Sequence, residues 1–155
     1  LSAAQYASPH RACFDGSIGG HMRHNLDHYT CLFAGLPAGR VDYDARTRDQ
    51  LVETDPQYAA ARLGEIAREL GALDDPALDR DIFVKMDSGA ELLVEQAWAR
   101  TTTRREVQFL LSHTIHHYAL VAVMCHGLGV ALEPGFGVAP STRRFQQPQE
   151  TSCAR

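Results

Sequence analysis

A long stretch without charged residues constrains this chain more than any other feature of its sequence. No Asp, Glu, Lys or Arg occurs from Val107 to Leu132, which is long enough to span a bilayer. The stretch also contains four histidines, and imidazoles inside a membrane are costly without special partners. They are His113, His116, His117 and His126. We therefore predict a helix buried on nearly all sides in a helical bundle, and no membrane span.

Apolar periodicity predicts two further helices. Apolar residues recur at steps of three and four over residues 17–36, which is typical of an amphipathic helix. The polar stretch that follows, up to Glu53, predicts a loop. Asp55 and Pro56 then have the order of an N-cap and a first helical residue, so a second helix is expected to run to Gly71. The helix that contains the charge-free stretch is expected to begin at the capping-box pair Thr103 and Glu106 and to end near His126.

The remaining segments predict a hairpin and less regular ends. Apolar residues alternate with others over residues 81–96, before and after a polar turn, and the second strand is expected at Leu92 and Val94. Residues 1–12 are interpreted as the stub of a further helix whose beginning was trimmed, since the chain lacks an initiating Met. Residues 130–155 are rich in Gly, Pro and polar residues, so we expect an extended or partly disordered tail.

Composition indicates an ordinary globular protein. The 155 residues are 45% hydrophobic and 22% charged, which predicts a single domain over residues 1–155. The net charge of -4 has the wrong sign for broad phosphate-backbone binding, so no nucleic-acid partner is expected. The four cysteines form no CxxC motif, and no signal peptide is visible, so we expect a reduced, cytoplasmic protein.

Clustered histidines carry the main indication of function. Six of the eight fall in two short windows: His21, His24 and His28, and His113, His116 and His117. His113 and His117 lie about 40° apart on one helical face, so their nitrogens converge. Two imidazoles in an apolar stripe need partners, because an unpaired buried polar group costs about 1 to 3 kcal/mol. One metal ion satisfies both.

Spacing alone does not choose a further ligand among the first three histidines, which share an arc of the first helix. The alternative is that each histidine is an ordinary hydrogen-bonded residue of the core or surface. Three neutral imidazoles with one open coordination position are typical of catalytic zinc and related sites.

Two histidine-rich segments together resemble the DinB/YfiT-like superfamily of metalloenzymes. They are SIGGHMRHNLDHY at 17–29 and SHTIHHYAL at 112–120, and the resemblance extends to VDYDARTRD at 41–49 and GFGVAPST at 135–142. It implies an all-α, DinB-like four-helix bundle, here with a small β-hairpin insertion and a truncated first helix. It also implies that His24, seven residues after Ser17, binds a divalent metal together with the HxxxH pair His113 and His117.

Neighbouring polar residues are secondary candidates. His21 and His28 are extra histidines of unassigned role, and Asp27, His116 and Tyr118 are candidates for orienting the ligands or replacing one of them. Arg46, Arg48 and Asp49 have the pattern of a solvated charge run, and their place in the matching segment 41–49 is the reason to suspect an anion contact.

Two functions are compatible with these observations. The first is a metal-dependent hydrolase or thiol-dependent transferase that uses Zn, Ni, Fe or Mn to activate water or a thiol for attack on a small-molecule substrate. The second is a non-catalytic, stress-associated protein that binds a metal or a small ligand. A DNA-directed function is opposed by the charge balance. Broad apolar helix faces also lead us to expect a homodimer.

Overall fold

The computed structural model describes residues 1–86 and 98–146, which form a mixed helical fold with a small sheet. The helices are α1 Ala3–Ala7, α2 Ile18–Gly35, α3 Gln50–Thr54, α4 Pro56–Gly71, α5 Asp75–Leu78, α6 Thr103–Gly127 and α7 Pro140–Gln146, with a 3₁₀ turn at Arg11–Cys13. The strands are β1 Arg40–Asp42, β2 Asp81–Lys85 and β3 Ala99–Thr102.

Helix α2 is the central element, and α3, α4 and α6 all pack against it. The Ser17 side chain caps its N-terminus by accepting a hydrogen bond from the backbone N–H of Gly20. Gly19 allows α3 to approach closely, because a Cβ at this position would lie 1.9 Å from the carbonyl oxygen of Glu53. The predicted helix over residues 17–36 is confirmed.

The second predicted helix is confirmed as α4, whose N-cap Asp55 accepts hydrogen bonds from the backbone N–H groups of Gln57 and Tyr58. The loop predicted up to Glu53 is wrong, because that stretch contains β1 and α3. Both elements are too short to leave a periodic pattern. Helix α3 is defined instead by Asp49, whose side chain accepts a hydrogen bond from the N–H of Leu51.

The sheet has the order β1-β2-β3. Strand β1 is parallel to β2, with Val41 paired to Val84, and β2 is antiparallel to β3, with Ile82 paired to Thr101. The predicted second strand at Leu92 and Val94 lies outside the described residues. A strand that pairs antiparallel with β2 is present later in the chain, as β3, and the parallel partner β1 was not predicted.

Helix α6 matches the predicted length but differs at its start and in its burial. Thr102, not Thr103, is the N-cap, and its side chain accepts a hydrogen bond from the N–H of Arg105. The prediction that this helix is buried on nearly all sides is wrong, because Leu111 and Val123 are each 53% exposed. The helix packs mainly against α2, which covers one face. Among the described residues, no helix is long and apolar enough to cross a membrane.

Both ends of the described chain contain short helices. Helix α1 begins at a capping box in which Ser2 and Gln5 satisfy each other's backbone N–H groups. The prediction of an extended or partly disordered tail is wrong for the seven residues of α7. Residues 147–155 lie outside the described part of the chain. Phe136 attaches the preceding segment to α6 by stacking on Tyr118, with ring centroids 4.8 Å apart.

The described residues thus contain three long helices, α2, α4 and α6, together with shorter helices and a three-stranded sheet. The predominance of helices is as predicted, whereas the sheet has three strands and the predicted hairpin has two. The four-helix bundle that the resemblance implies stays a prediction.

Candidate metal centre

Helices α2 and α6 bring five histidines into one cluster, which we call the histidine cluster. Helix α2 supplies its residues at steps of three and four, and α6 supplies its pair at a step of four, so each set lies on the face turned to the other helix. The ring centroids of neighbouring members are 4.5 to 5.0 Å apart. The members are His21, His24, His28, His113 and His117.

Three of these residues have ligand atoms close enough to share one metal ion. One nitrogen each of His24, His28 and His113 lies within 4.8 Å of the others. The closest approach is between Nε2 of His24 and Nε2 of His113, at 2.9 Å. The structure therefore contains a three-histidine group at metal-binding distance.

The tautomer of His28 follows from its hydrogen bond to the backbone. Its Nδ1 lies 2.7 Å from the carbonyl oxygen of His24, which only accepts, so Nδ1 carries the proton. The lone pair of His28 is then on Nε2. A backbone carbonyl that holds a histidine in this way is a common support for metal-binding imidazoles.

His117 belongs to the cluster through its ring contacts. Its ring centroid lies 4.6 Å from those of both His24 and His113, and its Nδ1 lies 2.8 Å from Nδ1 of His21. One of these two Nδ1 atoms carries the proton of that hydrogen bond. The other nitrogen of His21, Nε2, is buried without a hydrogen-bond partner. The structure thus places all three predicted ligands, His24, His113 and His117, in mutual ring contact.

Burial keeps the imidazoles neutral. Desolvation lowers the pKa of His24 to about 3, and the neighbouring imidazoles and the Arg46 cation add to this effect. Desolvation also lowers the pKa of His113 to about 4 and that of His117 to about 4. Neutral imidazoles are the form that binds metal, so the protonation state and chemistry of the cluster fit a transition-metal ion.

The predicted supporting residues have different surroundings. Asp27 is buried and accepts a hydrogen bond from Arg23 at 3.1 Å. His116 is exposed, and its ring contacts that of His117 edge to face at a centroid distance of 5.2 Å. Tyr118 stacks on Phe136 instead.

Tyr43 and Arg46 contact the cluster but were not predicted as part of it. The Tyr43 ring lies 5.6 Å from that of His28, and its hydroxyl donates to the buried carboxylate of Glu106 at 3.0 Å. Arg46 Nη1 donates to Nδ1 of His24 at 3.2 Å. Their membership of the matching segment 41–49 is the signal in the sequence that pointed towards them.

A cavity of about 400 Å³ opens beside the cluster. A space of this volume suits a small molecule. The Nε of Arg23 donates to Glu53 at its wall, at 2.7 Å, so this cation is already paired. The lining residues are Ala7, Pro9, Asp15, Gly16, Ser17, Gly20, His21, Arg23, His24, Glu53 and His117.

Comparison with known proteins gives limited similarity. No protein-family model matches the chain, and no solved structure matches it. A curated protein named FK506-binding protein 5, from Rhizopus delemar, is 29% identical over 109 residues. The match covers 70% of this chain and 28% of that protein, so the chain spans little more than a quarter of its relative's length. A match of this extent assigns the chain to no family.

Proposed function

We propose that this protein is a divalent-metal-dependent enzyme of the DinB-like type, acting as a hydrolase or a thiol-dependent transferase. The observation that carries the proposal is the group of three imidazole nitrogens within 4.8 Å of one another. The motif resemblance supports the same site. His24 and His113 belong both to this group and to the ligand set that the resemblance implies, and the third ligand is His117 or His28.

The donor set narrows the choice of metal. Imidazole nitrogens suit Zn, Ni and Fe, whereas Mn prefers oxygen ligands. A metal bound by three imidazoles supplies a Lewis-acid position that activates water or a thiol at neutral pH. The residues of the chain would hold the ion and orient the substrate in the adjoining cavity of about 400 Å³.

Hydrogen bonds within the protein support the proposed role of the histidines as metal ligands. The carbonyl of His24 orients the His28 ring, and His21 bonds to His117 through Nδ1 atoms 2.8 Å apart. Such partners fix the ring orientation of metal-binding histidines. The substrate proposed for the cavity is a small molecule, and a thiol is the class that the resemblance suggests.

A second candidate is a non-catalytic protein that binds a metal or a small ligand. It is favoured by the pairing of the carboxylates around the cluster. Asp27 and Glu53 both bind Arg23, and Glu106 accepts hydrogen bonds from Tyr43 and Thr101. These three carboxylates are engaged as structural partners, which leaves none of them free to act as a general base.

Elemental analysis tests the metal site directly. Untagged wild-type protein is expected to contain about one transition-metal ion per chain, and the double variant His113→Ala/His117→Ala is expected to contain almost none. His116→Ala is the matched control, because His116 is an exposed histidine of the same helix. Metal content that is unchanged in the double variant would exclude the site.

Turnover separates the two candidate functions. The metal-loaded protein would be screened with ester substrates and with electrophiles in the presence of low-molecular-weight thiols. An enzyme is expected to give turnover that disappears in the double variant. Metal uptake without turnover in any of these assays would favour the binding protein.

A further inference from the structure

Arg46 is a permanent cation within hydrogen-bonding distance of two members of the histidine cluster. Its Nη1 donates to Nδ1 of His24 at 3.2 Å and, more weakly, to Nε2 of His28 at 3.4 Å. A guanidinium group keeps its protons at any physiological pH and has no acceptor atom. Both imidazole nitrogens are therefore hydrogen-bond acceptors in this structure.

The bond from Arg46 fixes the tautomer of His24. A neutral imidazole carries one proton, so an acceptor at Nδ1 places that proton on Nε2. Nε2 of His24 then donates to Nε2 of His113, which lies 2.9 Å away. In this state, His24 offers a metal no lone pair at Nε2, and Arg46 engages the lone pair at Nδ1.

Metal binding by His24 and the hydrogen bond from Arg46 are mutually exclusive. If Nε2 binds the metal, the imidazole proton moves to Nδ1, which then no longer accepts a hydrogen bond from Arg46. If Nδ1 binds the metal, the ion replaces the N–H of Arg46 at the same lone pair. The divalent ion also repels the guanidinium, whose charge is poorly screened in this half-buried region. Metal and Arg46 exclude each other at His24 whether His117 or His28 is the third ligand.

A guanidinium released from His24 is free to bind an anionic partner, and its charged neighbour Asp27 already accepts a hydrogen bond from Arg23. Nε of Arg46 is already buried without a hydrogen-bond partner, and a buried unsatisfied donor is costly. Arg23, which also lies beside the cluster, is paired with both Glu53 and Asp27. The planar fork of arginine matches two carboxylate oxygens, and such a pair satisfies Nε together with one terminal nitrogen.

We propose that Arg46 binds a carboxylate group of a small ligand beside the metal, so that metal and carboxylate each strengthen the binding of the other. This inference rests on the proposed metal site. Without the carboxylate, Arg46 competes with the metal for His24. With the carboxylate bound, the competition is relieved, and thermodynamic reciprocity requires the metal to favour carboxylate binding equally.

Calorimetric titration of the metal-free protein with Zn²⁺, with and without acetate at constant ionic strength, tests the coupling. We expect acetate to tighten zinc binding to the wild type by about 5-fold or more, the lower end of common coupling factors. Arg46→Gln is expected to bind zinc more tightly than the wild type without acetate and to gain nothing from acetate. Arg48→Gln is the matched control, because it removes an exposed arginine two residues away and is expected to behave as the wild type.

Acetate also binds free zinc weakly, but this effect is the same for every variant, so the comparison isolates the contribution of Arg46. Arg46→Lys keeps the charge without the fork and is expected to lose most of the acetate effect. It serves as the second variant should Arg46→Gln not fold, as judged by circular dichroism.

The outcomes separate this inference from the proposed function. If the wild type binds zinc and acetate affects the wild type and the Arg46 variants equally, the role of Arg46 is wrong and the metal site stands. If the wild type binds no zinc, both are wrong.

Discussion

Nε2 of His24 and Nε2 of His113 lie 2.9 Å apart, although 89 positions separate these residues in the chain. The contact joins α2 to α6 at the level of the histidine cluster. Two imidazole nitrogens approach this closely only when a proton or a cation lies between them, because two lone pairs repel. The contact therefore marks the position where the protonation of the cluster and metal binding are coupled.

Replacing His117 and His28 individually identifies the third metal ligand. Nε2 of His28 already faces the Arg46 cation, whereas His117 contacts the rings of both His24 and His113. We therefore expect His117→Ala to weaken zinc binding by about 100-fold or more and His28→Ala to weaken it by less than about 10-fold, on the scale of losses at metal sites. Competition with a chromophoric chelator measures both affinities. A larger loss in His28→Ala would instead support the nitrogen group within 4.8 Å as the ligand set.

The helical face of the site could be predicted from sequence because it depends on local geometry. The step of four between His113 and His117 places both on one face, and the steps from His21 to His28 do the same in α2. Which nitrogens meet depends on the packing of α2 against α6. The spacing of the histidines alone therefore did not identify which histidine of α2 is a metal ligand.

Other features depended on contacts that periodicity does not record. Arg46 reaches the cluster from the segment between β1 and α3, neither of which is longer than five residues. Thr102 and Thr103 are adjacent and chemically identical as caps, so the start of α6 was misplaced by one residue. The absence of charged residues in α6 from Val107 onward also suggested more burial than its single main helical contact, with α2, provides.

Tyr43→Phe tests the polar contact behind the histidine cluster. The variant removes the hydroxyl that donates to the buried Glu106 carboxylate, which keeps its hydrogen bond from Thr101 at 2.9 Å and its ion pair with Arg105 at 3.7 Å. We expect a loss of about 1 to 3 kcal/mol in the free energy of unfolding, measured with urea. Tyr58→Phe is the control, because its hydroxyl donates to Asp49 in a less buried setting and the loss of stability is expected to be smaller. Equal losses in the two variants would contradict a special role for the buried pair.

Gly19→Ala tests the close packing of α2 against α3. The new Cβ would lie 1.9 Å from the carbonyl oxygen of Glu53, so backbone must move, and we expect a loss of at least about 2 kcal/mol. Gly64→Ala is the matched control in α4, because its Cβ would meet no atom within 4 Å. It is expected to stabilise the protein by up to about 1 kcal/mol through helix propensity. Thermal unfolding of both variants gives the comparison, and a neutral result for Gly19→Ala would contradict the packing described.

The hydroxyl of Tyr6 makes the stability of the protein depend on pH in the alkaline range. Tyr6 is 4% exposed and donates to the carbonyl oxygen of Val52 at 2.8 Å. Desolvation, assisted by the Asp55 and Glu53 charges, raises its pKa from 10.0 to about 12 in the folded protein. Because the folded state holds this proton more tightly, the contribution of Tyr6 to stability is complete below pH 10 and is lost as the pH rises towards 12.

Comparison with Tyr6→Phe isolates this dependence from that of other alkaline groups. The variant lacks the hydrogen bond, so at pH 9 it is expected to be less stable than the wild type by about 0.5 to 1.5 kcal/mol. The difference is expected to shrink between pH 10 and 12, because the unfolded wild type gains stability by ionising Tyr6 and the variant has no hydroxyl to ionise. Urea unfolding of the metal-free proteins at several pH values measures it. A difference that stays constant over this range would show that folding leaves the pKa of Tyr6 unchanged.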